Sequence, residues 1–302
     1  MKVAITGAYS YSGKYIARRL LDEGHQVITL TGHPDRPDPF DGKVKAHPFN
    51  FELPEALTET LRGVDVLVNT YWVRYAHGGT TYDLAVANTR TLIAAAVKAG
   101  VRRMVHTSIL NPDPESRLPY YAGKGKLEAD IRSSGLGYTI LRPTVIFGRE
   151  DVLINNITWF LRHFPVFGIP GDGTYKLQPI FVEDLAELAV VGVLSQDSTV
   201  VDAIGPETYT FNDLVAMLKK TVDSRTLVMH LPPMMAYAAS RLAGLLVGDM
   251  VLTREEVDGL LDDLLVTNSP PAGKTRLSEW AAANAGWLGK NYAHEIRRHF
   301  GR

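Results

Sequence analysis

The chain has 302 residues, 45% of them hydrophobic and 22% charged, and a formal net charge of −1. That is enough for a large folded domain with an appended lobe, and it creates no long-range field toward nucleic acid or an anionic membrane. The sequence contains no cysteine, which excludes disulfides, thiolate nucleophiles and cysteine-held metals.

The N-terminal MKVAITGAYS enters an apolar strand at once, without the h-region of a secretory signal. A cytoplasmic protein with a small-molecule partner is expected. Strands are read at 2–6, 26–31, 43–48, 64–69, 103–107 and 138–141, and helices at 13–23, 53–61, 81–99 and 120–134. Gly24, Gly63, Gly100 and Gly135 each stand just beyond a helical pattern. A residue without Cβ can take the left-handed conformation that ends a helix. This alternation predicts an α/β fold, a doubly wound parallel sheet with helices on both faces.

After Gly148 the alternation is lost, and PVFGIPGDGTYKLQPIF, LPPMM and NSPPAG interrupt longer helices. They mark a smaller, mostly helical C-terminal lobe. STVVDAIG, at 198–205, reads as a strand that returns to the main sheet. The expected division is 1–150, with 176–205 returning to it, and 151–175 with 206–302 as a substrate lobe closing a cleft at the strands' carboxyl ends. Trp159, Phe160, Phe164, Phe167 and Tyr175 fit either that lobe's core or a partly apolar ligand. MMAYAASRLAGLLVGDM, at 234–250, is shorter than the ~20 apolar residues of a membrane span and carries Arg241 and Asp249. A buried or half-buried helix is expected there, and no membrane span. Helices on the domain's outer face are compatible with a homodimer.

KVAITGAYSYSGKYIARRL is a strand, a tight turn and a helix, with Gly7 and Gly13 framing the turn. Gly7 allows the sharp turn and Gly13 lets the helix pack on the sheet. Ser10 holds the middle position, where backbone comes close to a pyrophosphate and a small hydroxyl can donate to it. The amides of the helix start then face the phosphates. This context points to a Rossmann-type dinucleotide site. The next strand ends in Thr31 and Gly32 rather than the acid that holds a ribose 2′-hydroxyl. Lys14, His33 and Arg36 are the cations available for a 2′-phosphate, so NADP(H) is expected over NAD(H).

In LPYYAGKGKLEAD, Tyr120 precedes Lys124 by four, whereas four after Tyr121 stands Gly125. Four residues is about one helical turn, so Tyr120 and Lys124 emerge on one face. A free tyrosine, with a pKa of about 10, is a poor base at neutral pH, and a nearby ammonium shifts it toward useful values. Glu128, one turn on, is expected to pair with charge on the helix. His77, in a glycine-containing loop, is a candidate for gating substrate. Glu183 and Asp184 read as charges at a helix N-terminus. No histidine and carboxylate cluster has metal-ligand spacing, and neither a nucleophile elbow nor a Walker loop occurs. No metal site is expected.

TGAYSYSG, GVDVLVNT, the helix that carries Asn88 and ends AVKAGVRRMVHTS, the YxxxKxxxE of Tyr120, Lys124 and Glu128, and ILRPTVIFG follow one another in a known order. Over roughly residues 1–205 the chain resembles the extended and atypical short-chain dehydrogenase/reductases. It looks most like the atypical branch that includes the NADPH-binding accessory subunit of respiratory complex I and NmrA-like and epimerase-like proteins. The run FGREDVLINNITWFLRHFPVFGIPGDGTYKLQPIFVEDLAELAV extends that match.

The resemblance implies that Gly7, Ser10, Tyr11, Ser12 and Gly13 wrap the pyrophosphate and that Asn50 and Phe51 lie where adenine is touched. Thr70 and Tyr71 would line the floor near the ribose, and Pro143, Thr144 and Val145 would face the nicotinamide. Tyr120 would exchange a proton with the substrate oxygen, with Lys124 as its electrostatic partner and a holder of the nicotinamide ribose. Family enzymes also supply a hydroxyl just after the strand that here reads RMVHTSILNP. Ser108 is the candidate; if the strand ends at His106 the position falls on Ile109, and Asn111 could substitute. The implied activity is that of an NAD(P)-dependent oxidoreductase or epimerase acting on a small carbonyl or hydroxyl compound. The rival reading is a scaffold or redox sensor that binds NADP(H) without turnover.

Overall fold

The computed structural model describes residues 1–76 and 79–295. In chain order the first elements are β1 (Lys2–Thr6), α1 (Tyr11–Asp22), β2 (Gln26–Thr31), β3 (Val44–Pro48), α2 (Pro54–Leu61), β4 (Val66–Asn69), α3 (Tyr82–Ala99), β5 (Arg103–Thr107), α4 (Pro119–Ser133) and β6 (Gly137–Pro143). There follow β7 (Ile146–Phe147), α5 (Leu153–His163), β8 (Val166–Pro170), β9 (Lys176–Leu177), β10 (Ile180–Phe181), α6 (Val182–Leu194) and β11 (Thr199–Ala203). The rest are β12 (Tyr209–Thr210), α7 (Phe211–Thr221), β13 (Leu227–Leu231), α8 (Pro233–Val247), α9 (Arg254–Leu261) and α10 (Leu277–Ala283).

Seven strands form one parallel sheet in the order β11-β6-β5-β4-β1-β2-β3. The chain runs outward from β1 to β3, then returns to build the other half from β4, so the strand order reverses beside β1. This doubly wound sheet opens a crevice at the carboxyl ends of β1 and β4. α1 packs on α6, while α3 packs against α2 and α4. The four glycines expected to close helices all have positive φ: Gly24 78°, Gly63 70°, Gly100 80° and Gly135 83°. Gly100 serves as the cap itself, its N–H turned back to the Ala96 and Val97 carbonyls.

The parity of the strands decides what lies at the crevice. Ala4, Leu67 and Met104 are neighbours in register on β1, β4 and β5, and all three pack in the core with Leu92 of α3 and Ile131 of α4. Two residues further along each strand the side chain returns to the same face. There the row reads Thr6, Asn69 and His106, again neighbours in register. An apolar layer is thus topped by a buried polar one at the strand ends.

The chain divides into two compact units, Met1–Pro143 with Val182–Ala203, and Thr144–Phe181 with Ile204–Arg302. Residues 144–150 and 176–181 fall in the second unit, because β7 pairs with β10 and the Thr144 hydroxyl donates to the Gln178 carbonyl. β11 pairs with β6 along its full length. The second unit has its own core, with Phe147, Ile154, Leu161, Phe211 and Leu214 buried. Its aromatics pack on one another: Trp159 lies 5.1 Å from Phe160 and 5.6 Å from Phe164, and Tyr175, buried, lies 5.3 Å from Phe211. Their roles are in packing. α8 is more exposed than the buried or half-buried helix expected there, since only Ala236 and Gly244 are buried while Leu242, Leu245 and Leu246 are exposed. No described helix is long and apolar enough to cross a membrane.

Candidate active site

The glycine turn is built by sterics. The Gly7 N–H continues the sheet by donating to Leu30 O, and its φ of 75° turns the chain sharply. A Cβ on Gly13 would lie 2.1 Å from the Gly7 carbonyl oxygen, so the first turn of α1 can press on the loop only because that atom is absent. The Ser10 hydroxyl donates to Gly7 O at 2.6 Å. It closes the turn and is not aimed outward at a phosphate, which corrects the part given to it from sequence. The groups left to meet an anion are the first backbone amides of α1, which have no intrahelical acceptors; Tyr11 and Ser12, both half-buried, begin that helix. Gly13→Ala should lower stability by about 1–3 kcal/mol through overpacking and abolish nucleotide binding in calorimetry. A variant with unchanged melting temperature and binding would show slack in the turn.

At the end of β2 the chain turns through His33 to Arg36, whose N–H donates to His33 O at 3.2 Å; both side chains are exposed. No acid stands at the strand end. Lys14 lies over the Tyr15 ring at 5.8 Å, back along α1. Beyond β3, Asn50 takes a left-handed conformation (φ 49°), and Phe49 and Phe51 stack at 4.8 Å across it. Both rings reach Tyr71 at 5.1 Å, and Tyr71 OH accepts from Asn88 Nδ2 at 2.9 Å. Thr70 and Tyr71 are tied down by Thr6, whose Oγ1 accepts from both their amides, at 2.8 and 3.0 Å. The residues expected around adenine and ribose are therefore brought together, with Phe49 and Asn88 added to them. Pro143 closes β6 and accepts from Leu110 N. Thr144 and Val145 begin the second unit and are buried there.

Tyr120 and Lys124 lie one turn apart near the start of α4. Lys124 is only 2% exposed, and its Nζ donates to Thr107 O at 2.7 Å and lies 4.5 Å from the centre of the Trp72 ring. A ring face attracts an ammonium by roughly 0.5–2 kcal/mol, whereas full burial shifts a lysine by up to about 3–5 units of roughly 1.4 kcal/mol each. Dehydration wins: burial brings the Lys124 pKa down to about 7, with Glu128 pulling weakly the other way. Glu128 has been claimed by β6. Arg142 Nε and Nη2 donate to its two carboxylate oxygens at 2.9 and 2.6 Å, and Arg132, its helical neighbour, is further away at 3.4 Å. The expected pairing along the helix is thus the minor one.

Beneath Lys124 runs the buried polar row. Thr6 Oγ1 donates to Asn69 Oδ1 at 2.8 Å, and Asn69 Nδ2 faces His106 Nδ1 at 3.0 Å. Since Asn69 donates, Nδ1 accepts and the imidazole proton sits on Nε2. Burial, reinforced by Lys124, holds the His106 pKa well below its ordinary value, so the ring is neutral. Parallel pairing runs past β5, with Ser108 N donating to Leu141 O and Leu110 N to Pro143 O, so Ser108 shares the face of His106. Ser108 is 3% exposed; its Oγ, His106 Nε2 and Trp72 Nε1 are buried without hydrogen-bond partners among the described residues. Ile109 is half-buried, and Asn111 is exposed with φ 51°. Glu183 stands in the first turn of α6 and pairs with Arg19 at 3.2 Å, and Asp184 beside it is buried. No group of metal-binding side chains occurs among the described residues, and His77 lies outside them.

Trp72, Asn69 and His106 were not singled out in the sequence. A signal existed for the first: α4 contains Gly123 and Gly125, poor helix formers. A Cβ on Gly123 would come 2.7 Å from Trp72, and one on Gly125 would come 2.4 Å from the Pro114 nitrogen.

Residues 7–152 match the family model described as NAD(P)H-binding. Over 242 residues the chain is 26% identical to the mitochondrial NADH-ubiquinone oxidoreductase 40 kDa subunit of Neurospora crassa, covering 76% of this chain and 62% of that one. It is also 26% identical over 284 residues to the mitochondrial NADH dehydrogenase [ubiquinone] 1 alpha subcomplex subunit 9 of Mus musculus, covering 88% and 73%. Among solved structures it is similar to the Citrobacter sp. triphenylmethane reductase complexed with NADP(H), with a TM-score of 0.77, 17% identity and coverage of 94% and 100%. The NADPH-dependent quinone oxidoreductase of Escherichia coli, complexed with NADPH, gives 0.76, 23%, and coverage of 93% and 99%. At these identities the two structures speak for the fold. Glycine turn and sheet order agree with the family model and the relatives, and residues 7–152 of the chain form an NAD(P)H-binding domain.

Proposed function

We propose that the protein binds NADPH in preference to NADH and uses it to reduce a small carbonyl compound, or runs the reverse oxidation of an alcohol. The observation that carries this reading is the Tyr120 and Lys124 pair, one turn apart, with the lysine dry and held near pH 7. The residues present fit the dinucleotide: a cradle that a Cβ on Gly13 would fill, helix-start amides for a pyrophosphate, and exposed His33 and Arg36 where an acid would repel a 2′-phosphate. When bound, the cofactor supplies a hydride. Tyr120 then gives its hydroxyl proton to the substrate oxygen as negative charge develops there, and Lys124, able to take either protonation state at neutral pH, restores that proton. Asn88, through Tyr71, and Thr6, through the amides of Thr70 and Tyr71, hold the ribose side of the site in place.

A second reading, binding without turnover, is favoured by one observation: the hydroxyl nearest the expected position belongs to Ser108, which is buried, beside the apolar Ile109. Titration calorimetry with NADPH, NADH and their oxidised forms tests the part common to both. NADPH should bind at least about tenfold more tightly than NADH, and Arg36→Ala should remove about that factor for NADPH alone, the worth of one charge-assisted hydrogen bond. Binding of none of the four would end both readings. Turnover of a carbonyl compound by the NADPH-loaded protein separates them.

A further inference from the structure

We propose that Trp72 is a positioning residue, the roof that keeps water from the Lys124 ammonium. The proposal rests on the reading of Lys124 as part of the working pair, but its test needs neither substrate nor cofactor. Trp72 is held on three sides. Lys124 Nζ lies under one ring face, 4.5 Å from its centre. Tyr120 meets the indole edge-on at 5.6 Å and 83°, and Tyr82 of α3 stacks with it at 6.1 Å and 24°. On α4 the indole takes the space that a side chain at 123 would fill, since a Cβ there would approach it to 2.7 Å. Glycine weakens a helix interior, and here the sacrifice admits the ring directly beside Lys124. The indole N–H has no hydrogen-bond partner among the described residues, although it is buried. The ring is therefore placed for its bulk and its faces, and phenylalanine should do most of its work.

The groups around Lys124 explain why exclusion of water governs it. His106, from β5, is neutral, its cation disfavoured by burial and by Lys124, and so it sets no charge against the ammonium. Glu128, on its own helix, favours the cation, but its carboxylate is shared with Arg142 of β6 and Arg132. Thr107 O is the acceptor its Nζ uses. With charges so balanced, water entering past the indole is the change that would restore the ordinary ammonium.

The test is the titration of the Lys124 Nζ signal in the full-length protein labelled with 15N-lysine, assigned by its loss in Lys124→Arg. In the parent the midpoint should lie at about 7. Trp72→Ala should raise it by about one unit or more toward the ordinary value. Gly123→Ala should move it in the same direction: alanine strengthens the helix while its methyl group evicts the indole. Trp72→Phe should stay within about half a unit of the parent. If Trp72→Ala does not fold, Gly123→Ala carries the test alone. A parent midpoint near 10, or one that neither variant moves, overturns the proposal. Failure of the catalytic reading shows elsewhere, in an unchanged rate for Tyr120→Phe, and leaves this titration standing.

Discussion

Tyr120→Phe should lower turnover by about 10²–10⁴-fold while nucleotide binding, read by calorimetry, stays within about twofold of the parent. The factor is that of a positioned general acid or base, equivalent to about 3–5 kcal/mol of barrier at roughly 1.4 kcal/mol per decade. The ring should remain in place, because Tyr120 packs edge-on against Trp72 and Tyr82 at 5.6 and 5.9 Å, and those contacts survive loss of the hydroxyl. The measurement is single-turnover oxidation of bound NADPH with a carbonyl substrate found by screening small ketones, aldehydes and nucleotide sugars. An unchanged rate would remove Tyr120 from the chemistry. A loss of binding together with rate would instead assign its hydroxyl to the cofactor.

Lys124→Met should stabilise the fold in acid, and the gain should fade in alkali. Folded Lys124 titrates at about 7, whereas the unfolded side chain has the ordinary value of 10.5. Below pH 7 both states hold the proton, and the folded protein bears the whole cost of a buried cation. Between about 7 and 10.5 the unfolded state binds more protons than the folded one, so stability rises with pH across that window. Methionine keeps the unbranched bulk and cannot be protonated. Allowing for the lost bond to Thr107 O and the ring contact, each worth about 1 kcal/mol, the variant should gain about 2–4 kcal/mol at pH 6. Little of that should remain at pH 10. Denaturant unfolding at the two pH values checks it, and a gain equal at both would place the stabilisation in packing rather than charge.

The local rules made much of the fold legible. Three of the predicted strands have the observed limits, and β4 begins two residues later than expected, at Val66. These buried parallel strands are written as apolar runs, which need only neighbouring residues to read. The spacing from Tyr120 to Lys124 was legible for the same reason, since one helical turn is a local distance. What could not be read was set by register and by contacts distant in sequence. The row of Thr6, Asn69 and His106 spans three strands, and nothing in VAIT, VLVN or MVHT alone tells that they meet. Trp72 reaches Lys124 across 51 intervening positions in space rather than along a helix, and only Gly123 hinted at it. A buried or half-buried helix was expected at 234–250, yet Leu242, Leu245 and Leu246 on it are exposed.

The membership of β11 in the main sheet also constrains how the protein can be made. β6 has β5 on one side and β11 on the other, and β11 comes only after the first segment of the second unit, Thr144–Phe181, and α6. While the chain is being synthesised, β6 must wait as an unpaired edge, open to wrong partners, until residue 203 has left the ribosome. A gene cut after Pro143 would encode the glycine turn, His33 and Arg36, and the Tyr120 and Lys124 pair, yet its product would carry that waiting edge permanently and tend to aggregate. Completion of the sheet is thus a late event, and the nucleotide-binding half becomes a finished folding unit only after the chain has made the first segment of the other.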